Sequence, residues 1–102
     1  MSNATVQGHC NERFRSVRDT FEAACESGAE IGAAVCVVQD GETVVDLWGG
    51  FKDAVRTEPW QRDTLVNVFS TTKGMTTLCA HRLVDEGLLE LDAPVASYWP
   101  EF

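Results

Sequence analysis

The 102 residues suffice for one small domain and no more. An apolar fraction of 44% fits a globular protein rather than a disordered one. With 16 Asp and Glu against 8 Lys and Arg the net charge is -8, which excludes the basic footprint that nucleic-acid binding needs.

Residues 1 to 10 are polar, and they are expected to fray. From 11 to 27, Phe14, Val17, Phe21 and Ala24 recur at helical spacing with charged residues between them, which predicts an amphipathic helix ended by Ser27-Gly28. The run Ile31 to Val38 is short, apolar and β-branched, as expected of a strand covered on both sides. Gln39-Asp40-Gly41 signals a turn, and Glu42 to Trp48 resumes as a second strand, giving a hairpin. Two adjacent glycines, Gly49 and Gly50, point to a bulge or a close backbone approach. Trp48 and Phe51 read as core or sheet-face residues. Residues 53 to 63 lack an apolar period and read as a polar connection, with Trp60 expected under the sheet.

Leu65 to Phe69 then runs extended into Ser70, where a helix opens and continues to about Glu86. Gly87 is its stop signal. Asp92-Ala93-Pro94 reads as an N-cap with proline in the first turn of a short helix, ended by Tyr98-Trp99-Pro100.

The stretch Val68-Phe69-Ser70-Thr71-Thr72-Lys73-Gly74 carries the chemistry. Positions three apart on a helix share a face, so the Lys73 amine comes within reach of the Ser70 hydroxyl. A serine hydroxyl is a weak nucleophile until a neighbouring base takes its proton. Lysine serves as that base only as the neutral amine, which a dry or electropositive pocket favours. Val68, Phe69, Met75, Leu78 and Cys79 are the apolar residues expected to supply the dryness. A helix start adds free N–H groups and the positive end of the macrodipole, both favourable to a developing oxyanion.

This S-x-x-K arrangement, with an aromatic residue just before the serine, glycine just after the lysine, and the later run Val84-Asp85-Glu86-Gly87-Leu88-Leu89-Glu90-Leu91-Asp92-Ala93-Pro94-Val95, resembles the serine beta-lactamase-related family. The likeness spans roughly residues 30 to 102 and is greatest to class C-type beta-lactamases, family VIII esterases and D-stereospecific peptidases. It implies an α+β fold, with residues 1–102 as the N-terminal portion of one hydrolase domain whose sheet is incomplete in this chain. It also implies that Ser70 is the acylated nucleophile and Lys73 its base partner, acting on a small ester or amide. Such enzymes carry a Tyr-x-Asn element and a Lys-Thr-Gly-like or His-x-Gly-like strand further on. Neither occurs here, and Tyr98-Trp99-Pro100 does not match. A second reading therefore stands beside the catalytic one: a truncated remnant, inactive alone, that acts if at all by binding.

Other chemistry finds little support. Cys10, Cys25, Cys36 and Cys79 have no metal-ligand spacing and are expected as free thiols, with Cys36 and Cys79 as small core residues. His9 and His81 have no ligand set, His81 is expected on a solvated helix face, and no local motif supports a Ser-His-Asp triad. Thr72-Lys73-Gly74 reverses the phosphate-loop order, and nothing signals a cofactor or a metal. No apolar run reaches membrane-spanning length and the first residues lack a leader pattern, so a cytoplasmic protein without a membrane partner is expected.

Overall fold

The structure, a computed structural model, describes residues 5–102. They divide into two compact units, one through Leu65 and one from Val66 to Phe102. The first holds strand β1 (Val6–Cys10), a 3₁₀ turn (Glu12–Phe14), helix α1 (Arg15–Ser27) and strands β2 (Gly32–Gln39) and β3 (Glu42–Gly50). The three strands form an antiparallel sheet in the order β1-β3-β2.

The predicted hairpin is present. Asp40 and Gly41 both take positive φ, 52° and 80°, which is the mirror-image turn whose twist matches that of the strands it joins. Register slips between Val37 and Val38, so Val44 is the extra residue of a bulge in β3. That bulge explains why Val44 and Val45, neighbours in the chain, are both buried. Val45 and Leu47 are fully enclosed, each such side chain stabilising the fold by about 1.5–3 kcal/mol. Phe14 at the end of the 3₁₀ turn and Val17 and Phe21 of α1 pack against this centre, as their spacing predicts. Asn11 starts the helical segment by accepting the Arg13 N–H, and Gly28, at φ 77°, ends it.

Residues 6–10 overturn the expectation of a frayed start, while residues 1–4 lie outside the described residues. The segment pairs with β3 from Val6 opposite Gly49 to Cys10 opposite Val45. Its polar composition hid it, because the strand is recruited by the open backbone edge of β3 and only Val6 and Cys10 turn into the core. Gly8, at φ 110°, leaves no room for a side chain against the Asp46 carbonyl. Gly50 makes the close approach that its sequence position suggested: at φ 81° it lies against the Ile31 carbonyl.

Strand β2 is covered on one face only. Val35 and Val37 are half-buried, whereas Ala34, Cys36 and Val38 are exposed. Cys36 is therefore not a core residue, because the period of two places it opposite the face that receives α1. Cys25 of α1 is the buried thiol, and burial pushes its pKa up.

The connection after β3 is more ordered than its composition suggests. Phe51 is buried, bridges to Pro59 and donates its N–H to Ile31 O at 2.8 Å. Trp60 packs on Gly32 at the start of β2, and Arg62 clasps Asp46 with two contacts of 2.9 Å. Between them Asp53 latches the loop. Its carboxylate accepts the Thr57 hydroxyl at 2.6 Å, the Glu58 N–H at 2.9 Å and the Thr57 N–H at 3.0 Å.

The second unit holds a 3₁₀ turn (Phe69–Thr71), helix α2 (Thr72–Asp85) and a final 3₁₀ turn (Val95–Ser97). Gly87, at φ 72°, closes α2 with the paired bonds Gly87 N–H to Val84 O and Leu88 N–H to Leu83 O, a Schellman ending. Pro94 sits at the N-cap of the last turn rather than inside it, and that turn is 3₁₀. Tyr98 Oη accepts the Glu90 N–H at 2.8 Å, tying the segment after α2 to itself. No side chain of α2 is buried, so Cys79, expected in a core, is exposed, as is His81. Among the described residues no helix is long and apolar enough to cross a membrane.

Hydrogen bonds from Thr57 and Glu58 hold the Asp53 carboxyl below the usual carboxylate range. A carboxyl lowered on folding lends stability that is present above its unfolded value and is lost as pH falls through the folded one. The Thr57 and Glu58 amide resonances should therefore titrate with a midpoint below about 3.9, and Asp53→Ala should remove that titration. A midpoint at or above the ordinary carboxylate value would refute the latch.

Candidate active site

Both residues singled out from sequence lie in the second unit. Ser70 is the middle residue of the 3₁₀ turn and Lys73 is the second residue of α2. The helix was expected to open at Ser70, whereas the α-helix starts two residues later. The i, i+3 geometry survives because a 3₁₀ turn, with three residues per turn, brings positions three apart into line. Lys73 Nζ donates a hydrogen bond to Ser70 Oγ at 3.1 Å.

The backbone entering this turn is unusual. Phe69 has φ 46°, in the left-handed region that a bulky residue resists, at a cost of order 1–3 kcal/mol. Asn67 Oδ1 accepts the Phe69 N–H at 3.2 Å, and the Thr71 N–H donates to Val68 O at 3.1 Å. The Thr72 N–H then returns to Phe69 O. Beyond the pair, Thr77 Oγ1 bonds back to the Lys73 carbonyl at 2.9 Å. The first turn of α2 contains no acidic side chain, so the positive end of its dipole is left to the pair.

The apolar residues expected to dry the lysine do not enclose it. Val68, Phe69, Met75 and Leu78 are all at least half exposed, and Cys79 is exposed as well. Helical geometry gives part of the reason: positions two apart do not face each other, so Met75 cannot cover Lys73. What sequence reasoning missed is the Phe69 N–H bond to Asn67 and the left-handed Phe69. The available signal was an asparagine two residues ahead of a turn, since asparagine readily bonds its own backbone at that distance.

No other constellation competes. Among the described residues no group of three or more His, Cys, Asp or Glu side chains could hold a metal ion. A groove of about 590 Å³ between α1 and β2, lined mainly by apolar residues such as Val17, Phe21 and Val35 with Ser16, Thr20 and Glu30 among them, contains neither Ser70 nor Lys73.

A family profile described as Beta-lactamase matches residues 17–102. The chain is 43% identical over 97 residues to the esterase/beta-lactamase LipL of Mycobacterium tuberculosis, covering 95% of this chain and 23% of that protein. Over 82 residues it is 37% identical to the esterase EstB of Burkholderia gladioli, covering 80% of this chain and 21% of that protein. Among solved structures, a family VIII carboxylesterase superposes with a TM-score of 0.91 at 52% identity, covering 95% of this chain and 26% of the other. A penicillin-binding protein homologue from Caulobacter crescentus gives 0.89 at 47% identity, again covering 95% and 26%. The chain thus spans about a quarter of the length of these relatives. A profile match over most of its length, together with these identities, makes the chain a member of the Beta-lactamase family, carrying the α+β N-terminal portion of that fold with its sheet still open.

Proposed function

We propose that this chain brings the nucleophile and its proton acceptor to a serine hydrolase that cleaves small esters or amides through an acyl-enzyme. The observation behind the reading is the 3.1 Å contact between Lys73 Nζ and Ser70 Oγ at the start of a helix. Ser70 Oγ attacks the carbonyl carbon while its proton passes to the Lys73 amine, which must be neutral at that moment. The Ser70 N–H, at the start of the helical segment, faces the oxyanion with the helix dipole behind it. Collapse expels the alcohol or amine, which takes the proton from Lys73. Water then attacks the Ser70 ester, releasing the acid and restoring the hydroxyl.

Esters are the favoured substrate class. Two relatives carry the word esterase in their names and a solved neighbour is a carboxylesterase, while the beta-lactamase name supports amides as the second class. The Tyr-x-Asn and Lys-Thr-Gly-like elements that the resemblance implies are absent from these 102 residues. On this reading the polypeptide alone is inactive. The exposed apolar side chains of α2 favour the second reading for the isolated chain, a remnant acting through association.

A fluorophosphonate probe should leave its adduct on the Ser70 peptide of a complete protein carrying this chain, and Ser70→Ala should remove it. Persistent labelling in that variant counts against the nucleophile. Lys73→Ala should lower ester hydrolysis by about 10²–10⁴-fold, and a near-normal rate rejects Lys73 as base. The 102-residue polypeptide by itself should bind an apolar dye such as ANS and melt without a sharp transition; a cooperative melt with no dye binding argues that it is self-sufficient.

A further inference from the structure

We propose that Gly74 sets which acyl groups reach Ser70, by leaving the side of the serine opposite Lys73 free of a side chain; the proposal rests on Ser70 being the nucleophile and Lys73 its base. The chain has eight glycines. Five take positive φ, and at Gly32 and Gly49 a Cβ would run into Phe51 O and Val6. Gly74 alone has neither constraint: its φ is not positive, and a Cβ built on it meets no atom within 4 Å outside the adjoining residues and the helix backbone. It is also the third residue of α2, and glycine is the poorest helix former after proline. Local structure favours alanine at this position, so the glycine answers to something other than the fold of this segment.

Its place beside the pair identifies that demand. At about 3.6 residues per turn, Lys73 lies at or just short of one turn beyond Ser70 and Gly74 just past it, so the two border the serine on opposite sides. Cα–Cβ bonds on a helix tilt toward its N-terminus, and a side chain at 74 would lean back toward Ser70. On the other side the Lys73 amine stands 3.1 Å from Oγ. Acylation then assigns the substituents of the reacting carbon. As Oγ bonds to that carbon its proton passes to the Lys73 amine, and as the bond to the alcohol breaks the departing oxygen takes the proton, so the leaving group lies on the lysine side. The carbonyl oxygen turns to the Ser70 N–H at the N-terminal end of the segment. The acyl chain is the substituent that remains, and it takes the Gly74 side. Branching at the carbon next to the carbonyl fills that space first.

The test uses a complete protein carrying this chain and two esters of p-nitrophenol, the straight butyrate and the branched trimethylacetate, with kcat/KM, which reports acylation, measured for each. Gly74→Ala should lower the trimethylacetate value about tenfold while the butyrate value stays within about twofold of the unaltered protein. Gly74→Val should widen that gap. Gly74→Ala should melt at or above the temperature of the unaltered protein, because alanine favours the helix. Equal losses on the two esters overturn this proposal alone, as does a Gly74→Ala protein unchanged on both with Ser70 still labelled by a fluorophosphonate. A lower melting temperature in Gly74→Ala overturns it as well, since the space then belongs to a packed segment of the complete protein rather than to substrate. An unaltered protein with no adduct on Ser70 overturns it together with the hydrolase reading.

Discussion

The contact between Ser70 and Lys73 depends on how the chain is wound over the seven residues 67–73. An alcohol and an amine three positions apart meet only if the backbone between them stays helical, and the 3₁₀ turn meets that demand by aligning them. Entering such a turn from an extended segment requires a sharp change of direction. Here the change is concentrated at one residue, Phe69, whose left-handed conformation is opposed by sterics and retained by the Thr71 N–H bond to Val68 O that spans it. A cost of order 1–3 kcal/mol exceeds the roughly 1 kcal/mol that one such hydrogen bond contributes.

The first unit solves a different problem with a different device. Its central strand, β3, is hydrogen-bonded on both edges, and both of its neighbours are antiparallel to it. Val45 and Leu47 are sealed by α1 on one face, and the Val44 bulge adds another side chain to that layer. Glycines at 8, 49 and 50 let the flanking backbones approach where side chains would collide. Charged contacts such as Arg15 with Glu12 lie on the outside and add little, because exposed pairs contribute about 0–1 kcal/mol. Burial of a few aliphatic side chains, not charge pairing, holds this sheet.

How much of this could be read from sequence follows from which forces leave a pattern. Helix α1 was legible because Phe14, Val17 and Phe21 recur at its period and pack as predicted. The hairpin was legible because Asp40-Gly41 suits a turn with two positive φ angles. Strand β1 was not, since pairing to an open edge is a backbone interaction and Gln7, Gly8 and His9 carry no periodic signal. Cys36 and Cys79 were misread for a related reason. An apolar residue in an apolar run reports that it can be buried, and only the arrangement of elements decides which face is covered. At the candidate site the pairing of residue types was visible in the spacing, while the Phe69 conformation was not, because no propensity scale assigns a left-handed φ to phenylalanine.

The exposure of the pair separates two contributions that are often merged. Holding Oγ and Nζ 3.1 Å apart gives proximity, and proximity is a matter of entropy already spent in folding the turn. Electrostatic stabilisation of an oxyanion is a matter of dielectric, and the same N–H group and dipole act far more weakly in water than in a dry site. The turn at residues 69–71 supplies the first, and none of its residues is buried. Drying of that turn therefore has to come from something that covers it, because its own residues do not enclose it.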